Sequence, residues 1–343
     1  MKKLLFFCFI SMMTVSVCAN AADTSHWDKI FPKSSTVTHQ KVSFNNRYGI
    51  NVVADLYMPA SRLVIDKFPG VVVTTPIGAV KEQASGFYAQ SLAERGFITL
   101  AFDPSYQGES GGNPRYLASP ETYIEDIISA VDFIMTNSSI DRNNVGILGI
   151  GSGAPYAFSA AAVDPRLKAI VSINLYDLSR ERQNGLGDGK VSDDLEKDLF
   201  ANIAQRQAEQ QNSVKELVVL APYDVSEQST DTEKEMYGYY RTPRGQHPRA
   251  SLAVTRTSDT ALISFGPFKN LDMVSPRPQL FVVGENSFAR YFSEDVFISA
   301  GDPKELQTVP EANYVDLYDK KDLIPFDAIE KFLKEHLSMP PQE

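Results

Sequence analysis

Cysteine is almost missing from this chain. The 343 residues hold two, Cys8 and Cys18. Past Cys18 there is therefore no disulfide, no thiolate nucleophile and no cysteine metal site, and an exported form would depend on its packed core for stability. Histidine is also scarce, with only His26, His39, His247 and His336. Positive charge falls short of negative, with 33 Lys and Arg against 43 Asp and Glu and a formal net charge of −10. That sign argues against nucleic-acid backbones and anionic membranes as partners. Past Val17 no apolar run is long enough to span a bilayer. Apolar residues at 43% and charged residues at 22% are ordinary for a globular protein.

The first residues read as a secretory signal. Lys2 and Lys3 give the positive start, Leu4 to Val17 is apolar but too short for a stable span, and Ala19-Asn20-Ala21 is a small-x-small cleavage pattern. The cut is placed after Ala21 or Ala22, which leaves 1–21 as a signal peptide and sends the mature chain to the periplasm or outside. Losing Lys2 and Lys3 takes the charge from −10 to −12. A lipid anchor at Cys18 is the weaker reading, because Val17 stands where such a site takes a small residue.

Lys41 to Tyr48 and Asn51 to Met58 alternate apolar and polar residues around the turn signals Asn45, Asn46 and Gly49, and predict an antiparallel pair of strands. Gly70 to Val73, Phe97 to Phe102, Val145 to Ile150, Leu167 to Ile173 and Gln279 to Val283 are short, nearly continuous apolar runs. Such runs fit strands buried on both faces of a parallel sheet. Helical spacing lies between them at Glu82 to Glu94, Pro120 to Met135 with Ser119 as N-cap, Ala154 to Val163, and Pro325 to Leu337. The alternation predicts an α/β fold with a doubly wound, mostly parallel sheet. Residues 175–272 break the pattern. They are polar, with helix-like pieces near Asp193–Asn212 and Thr232–Tyr240, and are too long for a plain loop. They read as a cap inserted between strands six and seven. The expected organisation is one domain in two parts, 22–174 and 273–337, around that cap, with 338–343 a disordered tail.

A hydrolytic nucleophile on such a sheet sits in a tight strand-to-helix turn, in a small-x-nucleophile-x-small pattern whose next N–H helps form an oxyanion hole. Here the strand Val145-Gly146-Ile147-Leu148 runs into Gly149-Ile150-Gly151-Ser152-Gly153. The small flanks are Gly149 and Gly153, so the nucleophile position holds Gly151. Several other segments carry a family likeness. They are Gly78 to Gln83, Asp103 through Ser105-Tyr106-Gln107-Gly108-Glu109-Ser110-Gly111-Gly112, Tyr239 to Pro248, Ser275-Pro276-Arg277-Pro278, Tyr291 to Asp295 and Val315 to Asp319. As a set they resemble the dienelactone-hydrolase-like branch of the α/β hydrolases, including the group related to fungal polyketide transferases, over roughly residues 40 to 337. The resemblance implies a carboxylic-ester or acyl hydrolase fold with no cofactor. It also implies Cys or Ser at position 151, His where Tyr314 stands, an acid at Ser287 or Phe288, and often His at Thr75.

No histidine stands where the fold would deliver it to a hydroxyl, as a Ser–His pair requires. Ser152 is the one substitute nucleophile, but its first small position is the bulky Ile150. The plain reading of Ser152 is a helix start that satisfies free N–H groups. Asp188, Asp193 and Asp194 lack full calcium-loop spacing, so no metal is expected, and His247 reads as structural. The backbone N–H groups of Ile77 and Ser152 remain as oxyanion-type donors at the sheet edge. These features predict a catalytically degenerate hydrolase that binds a small acyl or carboxyl ligand, or a protein partner, in the old pocket. The alternative is an active esterase using Ser152 with an unusual base.

Overall fold

Eight strands form one sheet in the order β1-β2-β4-β3-β5-β6-β9-β10. The structure is a computed structural model that describes residues 27–337 apart from Val64 and Ser213, so the signal-peptide and tail expectations lie outside the described residues. β1 (Val37–Asn45) and β2 (Asn51–Pro59) make an antiparallel hairpin, and β2 also runs antiparallel to β4 (Ile98–Phe102). β3 (Phe68–Thr74), β5 (Ile140–Ile150), β6 (Leu167–Ile173), β9 (Gln279–Gly284) and β10 (Lys304–Val309) pair in parallel, and β4 joins them beside β3. The central strands are buried on both faces, as their continuous apolar runs require.

Helices cover both faces. They are α1 (Ala84–Ala93), α2 (Pro120–Ile134), α3 (Ala154–Val163), and later α8 (Arg290–Ser299), α9 (Asp316–Asp319) and α10 (Phe326–Leu337). The doubly wound sheet is thus observed. Between β6 and β9, the sixth and seventh strands of the sheet, comes the inserted cap. It holds α4 (Leu178–Asn184), α5 (Ser192–Asn212), α6 (Asp231–Tyr240), α7 (Asp259–Ser264) and a separate two-stranded sheet of β7 (Leu217–Val219) and β8 (Ala253–Thr255).

Three local expectations shift for identifiable reasons. The first strand ends at Asn45 rather than Tyr48, because the Asn46 Oδ1 accepts the N–H groups of Tyr48 and Ile50 at 3.0 Å each and closes a turn there. The same side chain donates to Asp126 at 2.7 Å, which pins the turn to α2. α1 begins at Ala84 rather than Glu82, since Lys81 and Glu82 are held in an ion network described below. Ser119 does precede α2, but its hydroxyl pairs with Thr122 Oγ1 at 2.9 Å instead of capping a backbone N–H.

Candidate functional site

The turn after β5 is as tight as its sequence demands. A Cβ on Gly149 would stand 2.5 Å from the Ala154 Cα, and one on Gly153 would stand 2.7 Å from the Thr75 carbonyl oxygen, so backbone packing leaves no room for either. Gly151 between them has φ +52°, in the left-handed region that glycine occupies without steric cost. The loop after β3, carrying Ile77, lies beside this turn because β3 and β5 are neighbours. The chain reverses its order of addition to the sheet at β3/β5, which is where ligands bind in open α/β sheets.

The space in front of Gly151 is filled by phenols. A Cβ built on Gly151 would lie 2.2 Å from the Tyr318 hydroxyl and 2.6 Å from the Tyr314 hydroxyl. Both tyrosines are fully or almost fully buried, and the Tyr318 hydroxyl donates to that of Tyr314 at 2.9 Å. Burial pushes both phenols well above their ordinary pKa, so they remain neutral. Phe288 lies against Tyr314 with ring centroids 4.6 Å apart, and Tyr176 meets Tyr314 at 6.0 Å. Of the two residues considered for the acid position, Phe288 therefore faces Tyr314. The Ser287 hydroxyl instead accepts the N–H of Ala289 at 3.3 Å.

Ser152 points into the neighbouring loop. Its Oγ accepts the Ile77 N–H at 2.9 Å, and no side-chain bond caps the helical turn it begins. The expectation of a local helix cap is corrected to a cross-loop bond. The Ile77 donor is likewise not free, since the protein's own hydroxyl occupies it. Thr75 is buried, with its Oγ1 donating to the Phe102 carbonyl at 2.7 Å and 2.9 Å from Ser85 Oγ.

Ser152, Ile77, Tyr314, Phe288 and Tyr176 line one cavity of about 150 Å³. Its cap side is built by Val219 and Leu220 around β7, Met236 and Tyr240 of α6, and Glu181 and Arg182 of α4. Sequence reasoning missed this cap wall. Glu181 and Arg182 sit in a polar stretch whose charges read as a solvated surface until the cap folds back over the sheet edge.

Four of the family-like segments, 78–83, 103–112, 239–248 and 315–319, are tied together by ion pairs and hydrogen bonds in a collar. The buried Lys81 ammonium contacts Glu82 at 2.7 Å, Asp103 at 2.9 Å and Glu109 at 2.6 Å. Asp103 also accepts the backbone N–H groups of Lys81 at 2.7 Å and Glu109 at 2.8 Å, which ties the loops after β3 and β4 together. Burial alone would pull the Lys81 pKa down, but the carboxylates of Asp103 and Glu82 outweigh it and raise it. Burial drives Asp103 up to about 6 against the opposing pull of Lys81. Glu109 goes the other way, to about 2, because its bond to Lys81 outweighs its partial burial. From the cap, Arg249 reaches Asp28 at 2.6 Å and Glu82 at 2.7 Å, and Gln83 donates to the Gly245 carbonyl at 2.5 Å. Arg244 grips Asp319 with two bonds, of 2.8 and 2.6 Å, and the Val315 carbonyl at 3.0 Å.

None of the three described histidines lines the cavity. His247 bonds the Asp28 carbonyl at 3.1 Å, His39 bonds Asp55 at 2.8 Å, and His336 packs on Phe332. Asp188 pairs with Arg180, and Asp194 pairs with Lys197 at 2.8 Å. Among the described residues no group of three His, Cys, Asp or Glu side chains could hold a metal ion.

Comparison with known proteins places this geometry. No protein-family model matches the chain. The uncharacterized protein PA2218 of Pseudomonas aeruginosa is 44% identical over 318 residues, covering 92% of this chain and 85% of that protein. Its crystal structure superimposes with a TM-score of 0.89 over 92% of this chain and 98% of that one. The uncharacterized protein YcjY of Escherichia coli is 33% identical over 286 residues, 82% of this chain and 94% of YcjY. The thiohydrolase aneE of Aspergillus aculeatus is 26% identical over 282 residues, 81% of this chain and 86% of aneE. The α/β hydrolase GrgF from a Penicillium species matches in fold, with a TM-score of 0.73 at 18% identity over 88% of this chain and all of that one.

Proposed function

The chain belongs to the α/β-hydrolase-fold family of PA2218 and YcjY, and on that premise we propose that it binds a small acyl or carboxyl compound beneath its cap without cleaving it. One observation carries the reading. The volume that a side chain at position 151 would need is already held by the hydroxyls of Tyr318 and Tyr314, at 2.2 and 2.6 Å from the Cβ position. In the related hydrolases that volume would belong to the nucleophile. The positions that the family likeness gives to base and acid hold Tyr314 and either Ser287 or Phe288, and none of these can relay a proton to Ser152 as a His–Asp pair would. Ser152 has a hydroxyl in the cavity, but it accepts the Ile77 N–H. Its oxygen lone pair is partly spent, no histidine lines the cavity to take its proton, and the carboxylate that does line it, Glu181, is paired with Arg182 at 3.1 Å.

The cavity size favours a small molecule over a protein segment. A cavity of about 150 Å³ is of the size that admits a benzene-sized ligand. Covalent labelling with a serine-directed fluorophosphonate, alongside hydrolysis of short acyl esters, tests the reading. We expect no stoichiometric label and no turnover above background. A label that disappears in Ser152→Ala would replace this function with that of an esterase using Ser152. We also propose export, on the sequence of the first 22 residues. N-terminal sequencing of periplasmic or secreted protein should read from Ala22 or Asp23, and a chain beginning at Met1 in the cytoplasm would overturn it.

A further inference from the structure

The cavity wall carries two adjacent charged residues of α4, Glu181 and Arg182. Arg182 is the one cation among the cavity's described residues. It is flanked by two carboxylates, Glu181 at 3.1 Å and Asp259 at 3.1 Å. Lys190 lies close behind, donating to the Arg182 carbonyl at 2.9 Å and paired with Asp198 at 2.6 Å. Arg256, paired with Glu216, also faces Asp259, so three cations stand against four carboxylates, and the cation lining the cavity is already neutralised. The other donors lining the cavity are uncharged. Tyr314 receives a bond from Tyr318, and Ser152 receives one from Ile77, so each hydroxyl keeps its own proton for a guest.

Resting on the binding function proposed above, we infer that the site selects an uncharged carbonyl compound, an aromatic amide, ketone or lactone, and rejects the corresponding carboxylate. Tyr314 and Ser152 donate to the carbonyl oxygen. The ring lies among Tyr176, Phe288 and Tyr240. Glu181 acts as the charge filter. A carboxylate guest would exchange its hydration for neutral donors while facing Glu181 and an Arg182 whose charge is already taken up by Glu181 and Asp259, and that exchange is unfavourable. A neutral carbonyl loses far less on leaving water.

The test uses the full mature chain and two matched, non-hydrolysable probes, benzamide and benzoate, titrated by calorimetry near neutral pH. The expected result is that benzamide binds at least roughly tenfold tighter than benzoate. That is the order of effect of one unit charge about 10 Å away at an effective dielectric constant near 20. Glu181→Gln should narrow this ratio by a similar factor, and Tyr314→Phe should weaken benzamide binding. Equal or tighter binding of benzoate, lost on Arg182→Gln, would make Arg182 a carboxylate clamp and overturn the inference. Failure of both probes to bind would overturn it too. Both outcomes are distinct from failure of the non-hydrolytic reading, which appears only as ester turnover or Ser152 labelling. Circular dichroism of each variant separates lost binding from lost fold.

Discussion

Adding a single methyl group at the turn after β5 should reveal whether the two phenols have taken over the nucleophile's space. Gly151→Ala introduces a Cβ at φ +52°, which costs a side-chain residue about 1–2 kcal/mol. The same Cβ would start 2.2 Å from one buried hydroxyl and 2.6 Å from another, and overpacking of that kind costs about 1–3 kcal/mol more. The expected loss is therefore about 2–5 kcal/mol. Replacing both tyrosines by phenylalanine removes the hydroxyls and one hydrogen bond, at a cost of about 1 kcal/mol. The nearest remaining part of Tyr318 is its ring carbon Cζ, 3.3 Å from the Cβ position, a contact that a small adjustment relieves. In that background Gly151→Ala should lose only the conformational part, about 1–2 kcal/mol. Urea denaturation of the four proteins closes the cycle, and a coupling of about 1–3 kcal/mol is expected. Additivity within about 0.5 kcal/mol would refute the claim that the hydroxyls fill this space.

Two further predictions concern the collar. Lys81→Met should destabilise the fold by about 3–5 kcal/mol, because it strands the buried Asp103 without its cationic partner, while Glu82 keeps Arg249; thermal and urea unfolding measure it. The Glu109 pKa is held near 2 by Lys81. Its stabilising contribution is present above the unfolded value near 4.5 and is lost as the pH falls toward 2. The penalty of Glu109→Gln should thus be about 1–2 kcal/mol at pH 6, after allowance for the partial exposure of this carboxylate, and should vanish near pH 2. Asp103 has the opposite sign. Its folded pKa is raised to about 6, so its contribution is lost as the pH rises from about 4 through 6, a window separate from that of Glu109. A Glu109→Gln penalty that does not shrink in acid would show that the Lys81 contact is not an ion pair in solution.

The sheet was legible in the sequence because burial on both faces leaves a direct mark, as in Gly70 to Val73 or Leu167 to Ile173. β10 left no such mark. It is an edge strand of sequence Lys304-Glu305-Leu306-Gln307-Thr308-Val309 with only Val309 buried, Glu305 and Thr308 exposed and the rest half-buried, so most of its residues are free to be polar. The glycine at the turn and the tyrosine after the last strand could be read from spacing and family likeness. The contact between them could not, because Tyr314 and Tyr318 reach Gly151 from more than 160 positions away and only the closed sheet brings them together. The Ser152 to Ile77 bond was missed for a similar reason. A serine at a helix start is usually a cap, and nothing in the local sequence announces the loop 75 residues earlier that captures its hydroxyl.

The anchoring of the cap bears on how fast anything can enter or leave. Arg244 holds it to α9, Arg249 and Gln83 hold it to the loop after β3, and Glu235 of α6 accepts the Val315 N–H at 2.8 Å. With attachments at several corners the insertion cannot swing as a hinged lid, because opening would break charge-assisted bonds that each contribute about 1.5–3 kcal/mol. Passage to the cavity is then expected to go past lining side chains such as Met236 and the exposed Val219, by rotamer changes rather than by a lid movement. That kind of gate passes small planar molecules, works on side-chain timescales rather than those of domain motion, and makes residence time depend on the size of the guest more than on the strength of its polar contacts.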